Sequence, residues 1–235
     1  THADLPLIQR GLLGSDVAAA TTPIVLIHGI VDNRSIFTLL RRGLRRRGFG
    51  CIRTFSYGPH TSDVRETAGR FGEFIESLCE ETGSEQVYVV GHSLGGLIAR
   101  YFAQCLDDSD RVHTLVTLGT PHHGTHAARL FPHRLVRQLR PHSDLIAELD
   151  EPSTCQTRFL CFHSDVDHLI VPADNARLRH PDLVAVNVPV HGVGHLSMPI
   201  SRGIVHQIGS AFARRRRDKA ARDGGSDHPS ARALG

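Results

Sequence analysis

Short apolar runs, each closed by glycine, proline or histidine, recur along most of the chain between segments of helical periodicity. This alternation is typical of an α/β fold with a mainly parallel sheet. The pattern predicts strands at 24–27, 51–55, 86–90, 112–118, 158–162 and 183–188. It predicts helices at 36–47, 63–82, 94–106 and 200–214. The predicted fold class is therefore α/β, with a mainly parallel central sheet flanked by helices.

The chain has 235 residues, a length that one α/β domain can occupy. Its formal charge of +3 is unevenly distributed, because residues 214–235 carry seven basic and three acidic side chains and residues 1–213 carry a net charge of −1. We expect one α/β domain over 1–213 and a basic, disordered tail over 214–235. A body without a basic excess argues against nucleic acid as a partner.

The apolar runs are far shorter than the roughly 18 residues needed to cross a bilayer, so we expect no transmembrane segment. The spacings of the five cysteines match no zinc signature. Cys155 and Cys161 are close enough in sequence to form a local disulfide, and Cys161 also fits as a buried strand residue.

We expect a secreted or cell-envelope location rather than a cytoplasmic one.

The segment Gly91-His92-Ser93-Leu94-Gly95 joins an apolar strand directly to a helical pattern. Such a tight strand-to-helix turn forces Ser93 into a strained conformation and projects its hydroxyl above the sheet. Side chains at positions 91 and 95 would collide with the neighbouring helix and strand, which explains the two glycines. Ser93 is therefore a candidate nucleophile.

Two further segments accompany this turn, Ile27-His28-Gly29-Ile30 after the first strand and the run from Leu118 to Thr125, which contains Thr120-Pro121-His122-His123-Gly124. With a late Asp and His, these motifs resemble the α/β-hydrolase superfamily from about residue 23 to residue 198, and within it the serine lipase and esterase branch. The resemblance implies an α/β-hydrolase fold with a minimal lid. Ser93 distinguishes the chain from the dehalogenase and epoxide-hydrolase branches, which carry an Asp nucleophile there.

A serine hydroxyl needs a base and a third group that orients the base. The chain order of the fold places the base after the last strand, which leaves His191, His195 and His206. His195 lies in a glycine-rich stretch that resembles the family's Gly-His loop, so it is our first choice. His191 stays as the alternative, because His206 falls inside a predicted helix.

Asp165 and Asp167 both follow the strand that ends near residue 162, where the fold places its acid. Strand alternation cannot separate them, because residues two apart point to the same face. Lipases that this chain resembles place the acid just before a short apolar stretch closed by proline, and Leu169-Ile170-Val171-Pro172 fits that arrangement for Asp167. We therefore predict Asp167 as the acid and keep Asp165 as the alternative.

The developing oxyanion of an ester hydrolase needs backbone N–H donors. Leu94 follows the nucleophile at the start of a helix, so its amide is one candidate. The resemblance implies the amide of Ile30 as the other and a structural role for His28.

The sequence thus predicts a serine carboxylic-ester hydrolase, a lipase or esterase that cleaves acylglycerols or other lipid esters through an acyl-enzyme on Ser93. Thioester hydrolysis and acyl transfer remain open, and a non-catalytic binding module is the alternative from another class. The partners we expect are an ester substrate and a peripheral lipid surface.

We predict no cofactor and no metal. A metal role is the third hypothesis, because four histidines lie close together in sequence: His122, His123, His126 and His133. We prefer the interpretation that they are incidental residues of a loop. The proline-broken region 125–152 is the predicted lid.

Overall fold

Six strands form one parallel sheet in the computed structural model, which describes residues 22–30, 34–58 and 61–223. The strand order is β2-β1-β3-β4-β5-β6. The strands are β1 Ile24–Ile27, β2 Ile52–Phe55, β3 Val87–His92, β4 Val112–Leu118, β5 Arg158–Ser164 and β6 Val184–Val190. All six predicted strands are present, and no end is displaced by more than two residues. The predicted fold class is confirmed.

Helices cover both faces of this sheet. Within the described ranges the α-helices are α1 Thr38–Arg45, α2 Val64–Thr82, α3 Leu94–Cys105, α4 Arg134–Arg137, α5 Asp144–Leu149 and α6 Arg202–Asp223. Short 3₁₀ turns are η1 Arg34–Phe37, η2 His126–Leu130, η3 Ala173–Ala176 and η4 His195–Ile200. Helix α2 begins where the Asp63 carboxylate accepts the N–H groups of Arg65 and Glu66, and it ends at Gly83, whose φ is 66°.

The interior strand β1 shows how the two hydrophobic cores are separated. Val25 and Ile27 pack with residues of α2 and α3 on one face of the sheet. Ile24 and Leu26 pack with residues of α1 and α6 on the other face. Because side chains alternate along a strand, a buried run of four apolar residues supplies both cores at once.

The region between β4 and β5 is broken into one-turn pieces, as its prolines predict. It holds η2, α4 and α5, and residues of η2 and α4 line the cavity described below. No separate helical domain is inserted elsewhere in the described part of the chain. The region 125–152 therefore contributes short helical turns rather than a cap domain.

The last helix, α6, continues to Asp223. This differs from the disordered tail that we expected from residue 214, because arginine, lysine and alanine are good helix formers. Residues 224–235 lie outside the described residues. No helix in the ranges that the structure covers is both long and apolar enough to cross a membrane.

All five cysteines are unpaired. Cys161 is fully buried in β5, which raises the pKa of its thiol to about 11. The structure therefore contradicts a Cys155–Cys161 disulfide and confirms Cys161 as a buried strand residue.

Candidate active site

Ser93 occupies the sharp turn between β3 and α3. Its backbone has φ 52° and ψ −123°, a conformation that residues with a side chain rarely adopt. The Ser93 N–H donates to the Leu118 carbonyl at 2.9 Å, and the Thr120 hydroxyl donates to the Ser93 carbonyl at 3.0 Å. Both neighbours belong to β4 and its following loop, so the adjacent strand holds the strained turn in place.

Three glycines allow this turn to pack closely. A methyl group on Gly91 would overlap the backbone of Gly96, and one on Gly95 would overlap the carbonyl of Ile27 in β1. These are the helix and strand collisions that the sequence predicts. A methyl group on Gly96 would overlap the Thr120 hydroxyl, a constraint that the sequence analysis did not identify.

Asp167 and His195 form a buried pair next to this turn. Nδ1 of His195 lies 2.7 Å from Oδ2 of Asp167, and both side chains are almost completely shielded from solvent. The other oxygen of the carboxylate, Oδ1, accepts the N–H groups of Leu169 at 2.9 Å and Ile170 at 3.1 Å. The carboxylate is thus fixed at both oxygens, and its orientation determines that of the imidazole.

Asp165 and His191, the alternative acid and base, also pair with each other. Nδ1 of His191 lies 2.9 Å from Oδ2 of Asp165, and the Gly192 N–H donates to Oδ1 at 3.1 Å. The hydrogen bond to His191 holds the pKa of Asp165 below its usual range. Both side chains are exposed, so this second pair lies outside the buried site.

Ser93 and His195 open into the same cavity of about 480 Å³ at the carboxyl ends of the strands. Ile30 also lines it, after β1, and it is 38% exposed. The other lining residues are predominantly apolar: Gly29, Pro121, Thr125, Ala127, Ala128, Phe131, Pro132, His133, Val136, Leu139, Leu169 and Ile170. A lining of this kind suits an apolar ligand.

Leu94 is the first residue of α3, immediately after Ser93. The first N–H groups of a helix have no partner within the helix and point toward its N-terminal end. The Leu94 N–H therefore starts the helix beside the serine, where an anionic oxygen would be stabilised.

His28 packs as a structural residue, as the resemblance implies. Its ring stacks on Tyr57 with the centroids 4.7 Å apart, and its Nδ1 lies 2.8 Å from the Gly29 carbonyl. The Tyr57 hydroxyl donates to the His28 carbonyl at 2.8 Å. Tyr57 thus fixes the loop that carries Ile30, a role that the sequence analysis did not identify.

His92 also supports the site without having been predicted. It is fully buried, its Nε2 lies 3.1 Å from the His195 carbonyl, and the two rings are 4.8 Å apart. Thr125 makes a similar link, since its hydroxyl donates to the Leu169 carbonyl at 2.8 Å and accepts the Val171 N–H at 2.9 Å. The His92 contacts join the end of β3 to the loop after β6, and the Thr125 contacts join the loops after β4 and β5.

The clustered histidines do not form a common site, because His122 is buried in the protein interior. His122 is completely buried, its Nε2 lies 2.9 Å from the Thr117 hydroxyl, and its carbonyl accepts a hydrogen bond from the buried Arg100 at 2.9 Å. Burial, reinforced by the nearby guanidinium, lowers the pKa of His122 well below its usual value. Among the residues that the structure covers, no three metal-ligating side chains are grouped closely enough to hold a metal ion.

A known family and solved structures share the fold of this chain. Residues 22–140 match the model of the alpha/beta hydrolase fold family. The chain belongs to this family. A lipase of Bacillus licheniformis in its mature form has the same fold as this α/β hydrolase, with a TM-score of 0.62 and 17% identity over 77% of this chain and 87% of that one.

Two curated proteins are similar to this α/β hydrolase in sequence. A triacylglycerol lipase of Burkholderia plantarii is 27% identical over 124 residues, which are 49% of this chain and 34% of the lipase. A Schizosaccharomyces pombe protein named palmitoyl-protein thioesterase-dolichyl pyrophosphate phosphatase fusion 1 is 29% identical over 119 residues, 47% of this chain and 19% of that protein. The matched segments therefore span about a third of the first relative and a fifth of the second.

Proposed function

We propose that this α/β hydrolase is a serine carboxylic-ester hydrolase that cleaves lipid esters, acylglycerols foremost. Ser93 is the nucleophile, His195 the base and Asp167 the acid that orients the base. The observation that carries the proposal is the buried Asp167–His195 pair, which shares one apolar cavity with a serine in a strained turn. The similarity to a triacylglycerol lipase supports the choice of substrate class.

Acylation follows from the orientation of the imidazole. Because Nδ1 of His195 is held by Asp167, Nε2 is the nitrogen that accepts the Ser93 proton. As the proton leaves, Oγ attacks the ester carbonyl carbon and a tetrahedral intermediate forms. The bond to the alcohol oxygen then breaks, the alcohol takes the proton from Nε2, and the acyl group remains esterified to Ser93.

Deacylation repeats these steps with water. Nε2 of His195 removes a proton from a water molecule, whose oxygen attacks the acyl-enzyme carbonyl. Collapse of the second intermediate returns the proton to Ser93 Oγ and releases the carboxylic acid. In both halves the oxyanion accepts hydrogen bonds from the N–H groups of Leu94 and Ile30, and loss of one such donor can cost roughly 10²–10³ in rate.

Thioester hydrolysis is the second candidate, because the same residues would serve it and the Schizosaccharomyces pombe relative carries a thioesterase name. An acyl group would occupy the same apolar cavity, and a thiolate would leave in place of an alkoxide. A non-catalytic binding module is disfavoured, because such a protein has no need of a buried Asp–His pair beside a strained serine.

The decisive experiment is labelling with a fluorophosphonate, which reacts with activated serines, combined with hydrolysis of matched oxyesters and thioesters of increasing acyl length. We expect labelling and turnover in the wild type and in Ser210→Ala, a serine on α6 outside the cavity. Both should be lost in Ser93→Ala, with turnover reduced by about 10⁴-fold or more. Labelling of folded Ser93→Ala at the wild-type rate would refute Ser93 as the nucleophile.

A further inference from the structure

A second cleft, of about 540 Å³, shares helix α4 with the apolar cavity. Val136 of α4 lines the apolar cavity, whereas Arg134 and Arg137 of the same turn line the second cleft. We call the second one the basic cleft. Its ionisable lining residues are Arg65, Arg134, Arg137, Arg140, His142, Asp63 and Asp144.

Two of these charges are already engaged within the protein. Oδ1 of Asp63 caps α2, and its Oδ2 lies 3.3 Å from Nε2 of Gln138. Arg65 binds Glu148 through Nε at 2.9 Å and through its terminal nitrogen at 2.5 Å. Asp63 and Arg65 therefore form part of the cleft wall and contribute little free charge.

The other three guanidinium groups are not neutralised by ion pairs with described carboxylates. Arg134, Arg137 and Arg140 take part in none of the ion pairs found among the described residues. Residues 111–143 contain no Asp or Glu, so the chain around these arginines supplies no countercharge. Asp144, exposed at the cleft, is the one carboxylate left to face three cations.

Arg140 adds an independent observation. Its Nε is buried and has no hydrogen-bond partner among the described residues, although buried donors normally have one. The Arg140 backbone packs closely against Gly124, since a methyl group added to that glycine would stand 2.7 Å from the Arg140 carbonyl carbon. The neighbouring Leu139 carbonyl accepts the Thr125 N–H at 2.7 Å. Arg140 thus lies on a closely packed segment and keeps an unsatisfied Nε.

We propose that the basic cleft binds a phosphate group. The planar guanidinium fork matches phosphate oxygens in pairs, and a dianion would offset the repulsion among Arg134, Arg137 and Arg140. The phosphate can belong to a soluble phosphate monoester or to a lipid whose headgroup is a phosphate monoester, and both present the same dianion. This site is separate from Ser93 and does not depend on ester cleavage.

Calorimetric titration with inorganic pyrophosphate tests the site directly. We expect saturable binding that weakens as salt is added, because salt screens charges. Arg137→Gln, at an exposed position, should weaken binding by about tenfold, and so should Arg140→Gln. Arg45→Gln, at an exposed position of α1, is the matched control and should bind like the wild type. Ser93→Ala should also bind normally, which separates this result from any test of hydrolysis.

Flotation with vesicles distinguishes the two sources. Vesicles of phosphatidylcholine alone are compared with vesicles that also contain phosphatidic acid, whose headgroup is a phosphate monoester. Pyrophosphate binding with no preference for the anionic vesicles assigns the cleft to a soluble phosphate compound. Arginine-dependent flotation with the anionic vesicles assigns it to a lipid headgroup. The proposal is overturned if neither probe binds, or if Arg45→Gln weakens binding as much as Arg137→Gln does.

Discussion

Gly119 lies against Asp167, so that a methyl group on the Gly119 α carbon would stand 2.9 Å from Oδ2 of the carboxylate. The same methyl group would come within 3.0 Å of Nδ1 of His195. The φ of Gly119 is 55°, which glycine adopts at no steric cost. The Asp167–His195 hydrogen bond therefore requires that residue 119 has no side chain.

We predict that Gly119→Ala lowers the turnover number for a soluble ester by about 10²-fold or more, because it displaces the base or the acid. Gly83→Ala is the matched control, since Gly83 also has a positive φ, of 66°, and no described residue lies within 4 Å of its added methyl group. Turnover is measured for both variants, and circular dichroism verifies that both are folded. Wild-type turnover in Gly119→Ala would show that the pair tolerates displacement and does not orient the base.

The two Asp–His pairs give the second prediction. Asp167→Asn should lower turnover by about 10⁴-fold, because the amide cannot hold His195 in the required tautomer. Asp165→Asn should cost less than about tenfold, because its pair with His191 is exposed. Both are assayed on one soluble ester. A larger loss for Asp165→Asn would reverse the assignment of the acid.

His122 predicts a dependence of stability on pH. Its pKa is lowered in the folded state, so the unfolded chain binds the proton more readily. The stabilisation is therefore fully present above the unfolded pKa of about 6.5 and is lost as the pH falls below it, by up to about 1.4 kcal/mol per pH unit.

Urea unfolding of the wild type between pH 8 and pH 5 measures this loss in the free energy of unfolding. His122→Gln should be less stable than the wild type at pH 8 and should lose less stability on acidification. His206→Gln, an exposed position on α6, should keep the wild-type slope. Equal slopes for His122→Gln and the wild type would contradict the prediction.

Two glycines of α2 should respond to alanine in opposite directions. No described residue lies within 4 Å of a methyl group added to Gly69, so Gly69→Ala should raise the free energy of unfolding by about 0.5–1 kcal/mol. A methyl group on Gly72 would lie 2.5 Å from the Phe102 ring, so Gly72→Ala should lower it by about 1–3 kcal/mol. Thermal unfolding compares them, and a stabilised Gly72→Ala would mean that Phe102 moves aside easily.

The strands could be predicted from sequence because a buried strand has an apolar composition that is visible in a few consecutive residues. The run Ile24–Ile27 forms β1 with the predicted bounds, since a parallel strand buried on both faces is apolar throughout. The turn at Ser93 was also predictable, because the apolar strand, the glycines and the helical pattern follow one another within a single short segment.

The supporting contacts of the site were not predictable in the same way. His92 meets His195 across 103 positions of the chain, and Tyr57 meets His28 across 29. Nothing local marks either residue as a partner. Asp165 and Asp167 could not be separated by periodicity, because loop hydrogen bonds to Leu169 and Ile170 decide which carboxylate is buried.

Helix α4 is a single turn, and it serves as the common wall of the apolar cavity and the basic cleft. Thermodynamic linkage is reciprocal: if an acyl group shifts this turn and tightens phosphate binding, phosphate must tighten acyl binding by the same factor. A substitution at Val136 made to reshape the acyl site would then register as a change in anion affinity. Under that linkage, ligand binding in the apolar cavity could be measured as a change of affinity in the basic cleft, and the reverse.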